Sequence, residues 1–198
     1  MAATHSRNHN EQYTIRAKVF DLVPQFFITD RDGQMVGYCR QKLFKFKEEI
    51  VLFTDRSRDT ELLRIKARQI IDFGATYDVV LPNGQSIGSL RRKGLKSTFV
   101  RDEWMVFDDR GEQIGTLRED STFRGLLRRT IDAAATFMPQ KYYLTDMSGG
   151  EIAIFRQHFN PFVFKMGVAV LQDSEQLDDL MLIGIGVLTA VIEGRQRS

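Results

Sequence analysis

Residues 180–192 read Leu180-Met-Leu-Ile-Gly184-Ile-Gly186-Val-Leu-Thr189-Ala-Val-Ile192. Every position is apolar or glycine except Thr189, whose hydroxyl can bond a preceding carbonyl. A helix that is apolar on all sides must be enclosed on all sides. A bilayer-spanning helix needs about 20 such residues, more than this stretch holds, so protein must do the enclosing. The helix is expected to begin at a capping box, Asp173-Ser-Glu-Gln176, whose carboxylates complement the helix dipole. It is expected to run to about Glu193 and stop at Gly194, a rod of about 20 residues and 30 Å. Gly184 and Gly186 each cost about 1 kcal/mol of helix propensity relative to Ala. That cost makes sense where a wall comes too close for side chains.

The wall is written upstream as a repeat: Gly, two residues, Val or Ile, a small residue, two residues, Arg. It occurs as Gly33-Gln-Met-Val36-Gly37-Tyr-Cys-Arg40, Gly84-Gln-Ser-Ile87-Gly88-Ser-Leu-Arg91, Gly111-Glu-Gln-Ile114-Gly115-Thr-Leu-Arg118 and Gly149-Gly-Glu-Ile152-Ala153-Ile-Phe-Arg156. A run of aromatic and β-branched residues precedes each glycine, usually with Asp or Asn between. This is hairpin chemistry: Asp and Asn bond their own backbone, and Gly supplies a positive φ. The small residue permits a tight bend or close backbone approach in the return strand. A degenerate fifth unit runs from Ile50–Phe53 through a polar turn, Asp55 to Asp59, to Leu62–Lys66. With single strands at Tyr13–Phe20 and Phe162–Leu171, the expectation is about twelve antiparallel strands. Closing the sheet removes its exposed edges. The predicted fold is therefore a mainly β, closed, roughly twelve-stranded barrel threaded by the C-terminal helix, which fills the space a ligand would otherwise occupy. Ser121–Phe137 carries apolar residues at helical spacing, with Arg124, Arg128 and Arg129 opposite, and is expected to lie as an amphipathic helix outside the sheet.

Among 198 residues, 42% are hydrophobic, 27% are charged and four are Pro, which excludes a largely disordered chain. Lys and Arg total 28 against 26 acidic residues, a net charge of +2 with no nucleic-acid signature. A single cysteine, Cys39, cannot form an intrachain disulfide, and residues 1–12 hold no apolar run of a secretory signal. A soluble, cytoplasmic protein is expected, with a flexible tail at 1–12, one barrel domain at 13–194 and a short tail at 195–198. No catalytic constellation is present. His5 and His9 lie in the tail, and His158 has no sequence-local partner. The glycines sit in hairpins rather than in phosphate-binding strand-to-helix loops, so neither an enzyme nor a cofactor is expected.

The serial hairpins, the stretch Phe107-Asp-Asp-Arg-Gly-Glu-Gln-Ile-Gly115, the segment Pro139-Gln-Lys-Tyr142 and the final hydrophobic helix resemble the LURP-one-related proteins of the tubby-like C-terminal superfamily. The resemblance spans Tyr13 to Glu193. It implies a twelve-stranded barrel around a C-terminal helix, an architecture shared with phospholipid scramblases and tubby proteins.

Tubby-type domains recognise phosphoinositides through clustered basic residues. The resemblance makes Arg64, Lys66, Arg68, Arg91, Arg92, Lys93 and Lys96 the headgroup candidates. Arg in particular suits phosphate through its forked donors. Arg64, Lys66 and Arg68 also alternate with Leu63, Ile65 and Ala67, as any solvated strand face would. Arg124, Arg128 and Arg129 are candidates for resting on an anionic membrane. Lys42, Lys45 and Lys47 read as a soluble edge device. Scramblases carry a calcium-binding segment where this chain has Asp173, Glu175, Asp178 and Asp179, but the spacing is not that of an EF-hand, and helix capping accounts for these acids. Three functions stay open: anionic-phospholipid binding at the cytoplasmic membrane surface, a protein-interaction adaptor using sheet edges or hairpin tips, and calcium-dependent lipid scrambling. No nucleic-acid partner is expected.

Overall fold

A computed structural model describes residues 11–18, 23, 25–40, 49–69, 75–93, 103–120, 139–160, 162–172, 174 and 177–196. Twelve strands and one helix occur among them: β1 (Tyr13–Lys18), β2 (Gln25–Asp30), β3 (Met35–Arg40), β4 (Ile50–Phe53), β5 (Glu61–Gln69), β6 (Thr76–Val80), β7 (Ser86–Arg92), β8 (Glu103–Phe107), β9 (Gln113–Glu119), β10 (Lys141–Asp146), β11 (Glu151–His158), β12 (Val163–Val170) and α1 (Asp179–Gln196). Each strand pairs antiparallel with its sequence neighbours, and β1 pairs with both β2 and β12, which closes the barrel. The expected outer helix at 121–137 and the run Lys42, Lys45, Lys47 lie outside the described residues.

Five tight hairpins form where the repeat places them, β2–β3, β4–β5, β6–β7, β8–β9 and β10–β11. Gly33, Gly84, Gly111 and Gly149 take φ values of 83°, 87°, 83° and 91°, and in the degenerate turn Arg58 takes 64°. Asp30 Oδ1 accepts the amides of Asp32 and Gln34, Asp108 Oδ1 those of Arg110 and Glu112, and Asp146 Oδ1 those of Ser148 and Gly150. One carboxylate thus satisfies two turn donors.

The rest of the repeat encodes a bulge. In all five hairpins the register slips beside the turn, leaving Val36, Leu62, Ile87, Ile114 or Ile152 as the extra residue on the return strand. A bulge sets two residues against one and sharpens the local twist, which a closing sheet needs. It also explains the small residue that follows. A Cβ on Gly88 would fall 2.6 Å from the Phe107 carbonyl oxygen, and one on Gly115 would fall 2.6 Å from that of Thr145.

Inside the barrel lies α1. Met181, Leu182, Ile183, Ile185, Val187, Leu188, Ala190 and Val191 are all at most 3% exposed. They meet inward side chains such as Ile15, Val79, Leu90, Leu117, Phe155 and Val168 in one core. Full burial of a Leu or Ile side chain contributes about 1.5–3 kcal/mol, so this helix and its wall hold most of the fold's apolar stabilisation. Thr189 Oγ1 donates to the Ile185 carbonyl at 2.8 Å. The two glycines mark the closest approaches: a Cβ on Gly184 would lie 3.3 Å from Val79 Cγ1, and one on Gly186 would lie 2.6 Å from Ile15 Cδ1.

Both helix ends differ from expectation. The N-cap is Asp178, whose Oδ1 accepts the Met181 amide at 2.8 Å and whose carbonyl accepts the Leu182 amide at 3.1 Å. Ser174 precedes the helix, and the remainder of Asp173–Gln176 lies outside the described residues. Asp178 wins because it is the last polar side chain that can turn back on the first orphan amides once Leu177 is buried. At the far end α1 continues through Gly194 to Gln196. A glycine stops a helix only where it turns left-handed, and otherwise costs about 1 kcal/mol within it.

Candidate functional site

A filled barrel leaves its outer wall and its two ends for function, and the ends are electrically unlike. At one end sit the five tight turns, with the carboxylates of Asp30, Asp55, Asp108 and Asp146 turned onto backbone amides. Asp178 and Asp179, where α1 enters, belong to the same end: Tyr13, opposite Asp30 in the β1–β2 register, hydrogen-bonds Asp179. Burial first, and that bond second, push the Tyr13 hydroxyl up to about 12. The other end consists of the last residues of odd-numbered strands and the first residues of even-numbered ones. This rim carries cations on most strands.

On the β5–β7 wall, Arg64, Lys66 and Arg68 come from β5, and Arg91 and Arg92 from β7 with Lys93 just beyond. Each was a headgroup candidate. The seventh, Lys96, lies outside the described residues, as do Arg124, Arg128 and Arg129. Sheet order sets β6 between β5 and β7, so the two groups flank one strand. The side chains are not idle. Arg64 donates to Glu61 at 2.6 Å and Glu49 at 3.4 Å, Lys66 pairs with Glu49 at 3.2 Å, and Arg68 Nε donates to Asp78 at 3.0 Å. Lys93 and Arg118 share Glu103, each at 3.2 Å. Arg91 lies over the Phe107 ring at 4.9 Å, and Arg92 over Trp104 at 5.8 Å. Trp104 is buried and Arg92 half-buried, so this guanidinium supports the rim.

The carboxylates report the pairing. The hydrogen bond from Arg64 holds Glu61 below the usual carboxylate range. Burial works against ionisation of Glu103, but hydrogen bonds from Lys93 and Arg118 prevail and hold it low as well. Even so, six of these cations (the described candidates other than Arg92, and Arg118) stand against four carboxylates among the described residues, Glu49, Glu61, Asp78 and Glu103. The paired cations are 40–59% exposed, but of the carboxylates only Glu49 is comparably open, while Glu61, Asp78 and Glu103 are 16–20% exposed, so solvent screens these pairs only in part.

A second group was missed from sequence. Arg16 on β1 faces Lys165 on β12, which faces His158 on β11, while Arg156 on β11 faces Lys141 on β10. Residues directly opposite share a face, and all alternate with buried neighbours such as Ile15, Phe155 and Met166, so they point outward. Among the described residues, Arg16, Arg156 and Lys165 have no carboxylate partner. His158 does have one: its Nε2 lies 2.7 Å from Glu11 Oε1, so the imidazole without a sequence-local partner is paired across the fold. The partner was invisible because it is 147 residues away. Gly167 opens the space, since a Cβ there would collide with the Glu11 carboxylate. Among the described residues no hydroxyl or thiol hydrogen-bonds His158.

Beside this group the β11–β12 turn exposes two aromatics, Phe159 at 62% and Phe162 at 69%. Of the acids before α1, Asp178 caps the helix and Asp179 holds Tyr13, while Asp173 and Glu175 lie outside the described residues. Among the described residues no three potential ligands gather around a metal-sized site, and no helix is long and apolar enough to cross a membrane. Cys39 faces the core, where burial pushes its thiol up to about 12.

The profile of the LURP-one-related family matches residues 35–133. The crystal structure of an Arabidopsis thaliana protein is similar at 17% identity, over 96% of this chain and 95% of that one, with a TM-score of 0.48. No curated protein matches.

Proposed function

Because the chain belongs to the LURP-one-related family of tubby-like barrels, we propose that it is a non-catalytic domain binding anionic phospholipid headgroups, of the phosphoinositide type, at the cytoplasmic membrane surface. The observation that carries this reading is the excess of cations on the β5–β7 wall, with Arg64, Lys66, Arg68 and Lys93 each 40% or more exposed and Arg91 free of any carboxylate among the described residues. A multivalent phosphate offers these exposed cations a charge-assisted partner that can engage several of them at once. Among the described residues the core helix fills the barrel interior, which favours binding on the outside. Lipid scrambling by release of the helix has less support, because release would expose the side chains that make up the core.

The test is co-sedimentation of the full chain with phosphatidylcholine vesicles with or without phosphatidylinositol bisphosphate, at two salt concentrations. Binding is expected only with the anionic lipid and should fall with salt. The combined change Arg64→Ala, Lys66→Ala, Arg68→Ala and Arg91→Ala should weaken it at least tenfold, since each basic residue at a membrane contributes about 1 kcal/mol. Unchanged affinity in that variant, or no binding, would overturn the reading; a stoichiometric protein partner without vesicle binding would replace it with the adaptor.

A further inference from the structure

Like charges set directly opposite on a sheet face destabilise it. Arg16–Lys165 and Lys141–Arg156 are two such rows. Both rows sit at the end where β1 and β11 finish and β10 and β12 begin. Arg68, Arg91 and Lys93 lie at that same end of β5 and β7, although β6 and β12 stand on opposite sides of the barrel. A flat charged surface cannot lie against two opposite walls at once. It can meet both at the shared rim.

The rim also carries the aromatic pair. Phe159 and Phe162 flank the turn that joins His158 to Val163, and both are mostly exposed. Aromatic side chains beside cations match the region between lipid phosphates and acyl chains. The far end has the opposite balance: four of its five turns carry eight carboxylates against the four arginines Arg31, Arg56, Arg58 and Arg110, an excess that an anionic surface repels. Helix α1 also begins at that acidic end, so its dipole is complemented there.

From this we infer that the barrel docks end-on: the rim faces an anionic membrane, Phe159 and Phe162 enter its interface, and Arg16, Arg156 and Lys165 take phosphates on one side while Arg68, Arg91 and Lys93 take them on the other. The inference rests on the phospholipid reading and adds an orientation and an insertion element.

The test places an environment-sensitive fluorophore on the full chain at Phe162→Cys or, as a control at the acidic end, at Met147→Cys, a residue 64% exposed in the β10–β11 turn. Cys39 is buried and stays unlabelled. With vesicles containing phosphatidylinositol bisphosphate, the label at 162 should shift to the blue and the label at 147 should not. Phe159→Ser with Phe162→Ser should weaken vesicle binding at least tenfold, and Met147→Ser should leave it unchanged. If the protein binds vesicles but both labels stay put, or the double serine variant binds as before, the orientation is wrong while the phospholipid reading stands. No binding to any vesicle removes both. A blue shift at 147 alone would invert the orientation and overturn the inference.

Discussion

Replacing Gly186 with Ala opposes two effects whose sizes follow from structure. Alanine favours the helix over glycine by about 1 kcal/mol at any interior position. The new Cβ, however, would lie 2.6 Å from Ile15 Cδ1 and 3.4 Å from Phe155 Cε1. Ile15 and Phe155 are both 0% exposed, so neither has free volume to move into. Overpacking a filled core costs about 1–3 kcal/mol, which leaves Gly186→Ala net destabilising by about 1 kcal/mol. Gly184→Ala meets only Val79 Cγ1 at 3.3 Å, a misfit of a few tenths of an ångström, and should be near neutral. For a barrel of this size 1 kcal/mol is about 2–4 °C in Tm, within reach of calorimetry or circular dichroism. Trimming the wall provides the decisive arm. Ile15→Val alone should cost about 0.5–1.5 kcal/mol, but combined with Gly186→Ala it removes the clash, and the pair should couple favourably by about 1 kcal/mol. If Gly186→Ala simply stabilises by its helix propensity and shows no coupling to Ile15, then β1 is not the wall this helix rests on.

The bulges and turns carry predictions of their own. Gly115→Ala forces a Cβ against the Thr145 carbonyl oxygen, which no side-chain rotation relieves, and should cost about 2–3 kcal/mol in urea unfolding; Gly37→Ala meets the Ile28 side chain at 3.2 Å and should cost less than about 1 kcal/mol. The Ser148 hydroxyl, then the Gly150 amide, hold the Asp146 carboxyl below its usual range. Its folded pKa lies under the unfolded value of about 3.9, so its contribution is fully present above that pH and disappears as pH falls through the lower folded value. Asp146→Asn should therefore flatten the loss of stability as pH falls below about 4 in urea unfolding; equal slopes in both proteins would contradict the assignment.

Much of the barrel is local and therefore legible. A positive-φ glycine after Asp or Asn, repeated at constant spacing, specifies a turn whatever lies elsewhere, and the all-round apolar segment after Leu180 specifies enclosure. The bulge could be suspected from the small residue of the repeat, but not placed, because it is a property of two strands in register. The same distance effect hid the charges. Arg64 and its partner Glu61 three residues earlier were visible on one strand, but Glu49, fifteen residues away, becomes a neighbour only after folding. Arg16 and Lys165 stand about 150 residues apart and meet because the last strand closes on the first. A capping box at Asp173–Gln176 reads well in isolation, yet the barrel mouth decides where the helix starts, and Asp178 caps it.

Hydrogen exchange at the amides of Met181–Val191 tests most directly whether the barrel encloses this helix. With no exposed face, these amides should exchange only through global unfolding, at rates about 10^4-fold or more below those of an unprotected chain, and in step with the slowest amides of β1, β11 and β12. Exchange within seconds to minutes while those strands stay protected would place the helix outside the barrel.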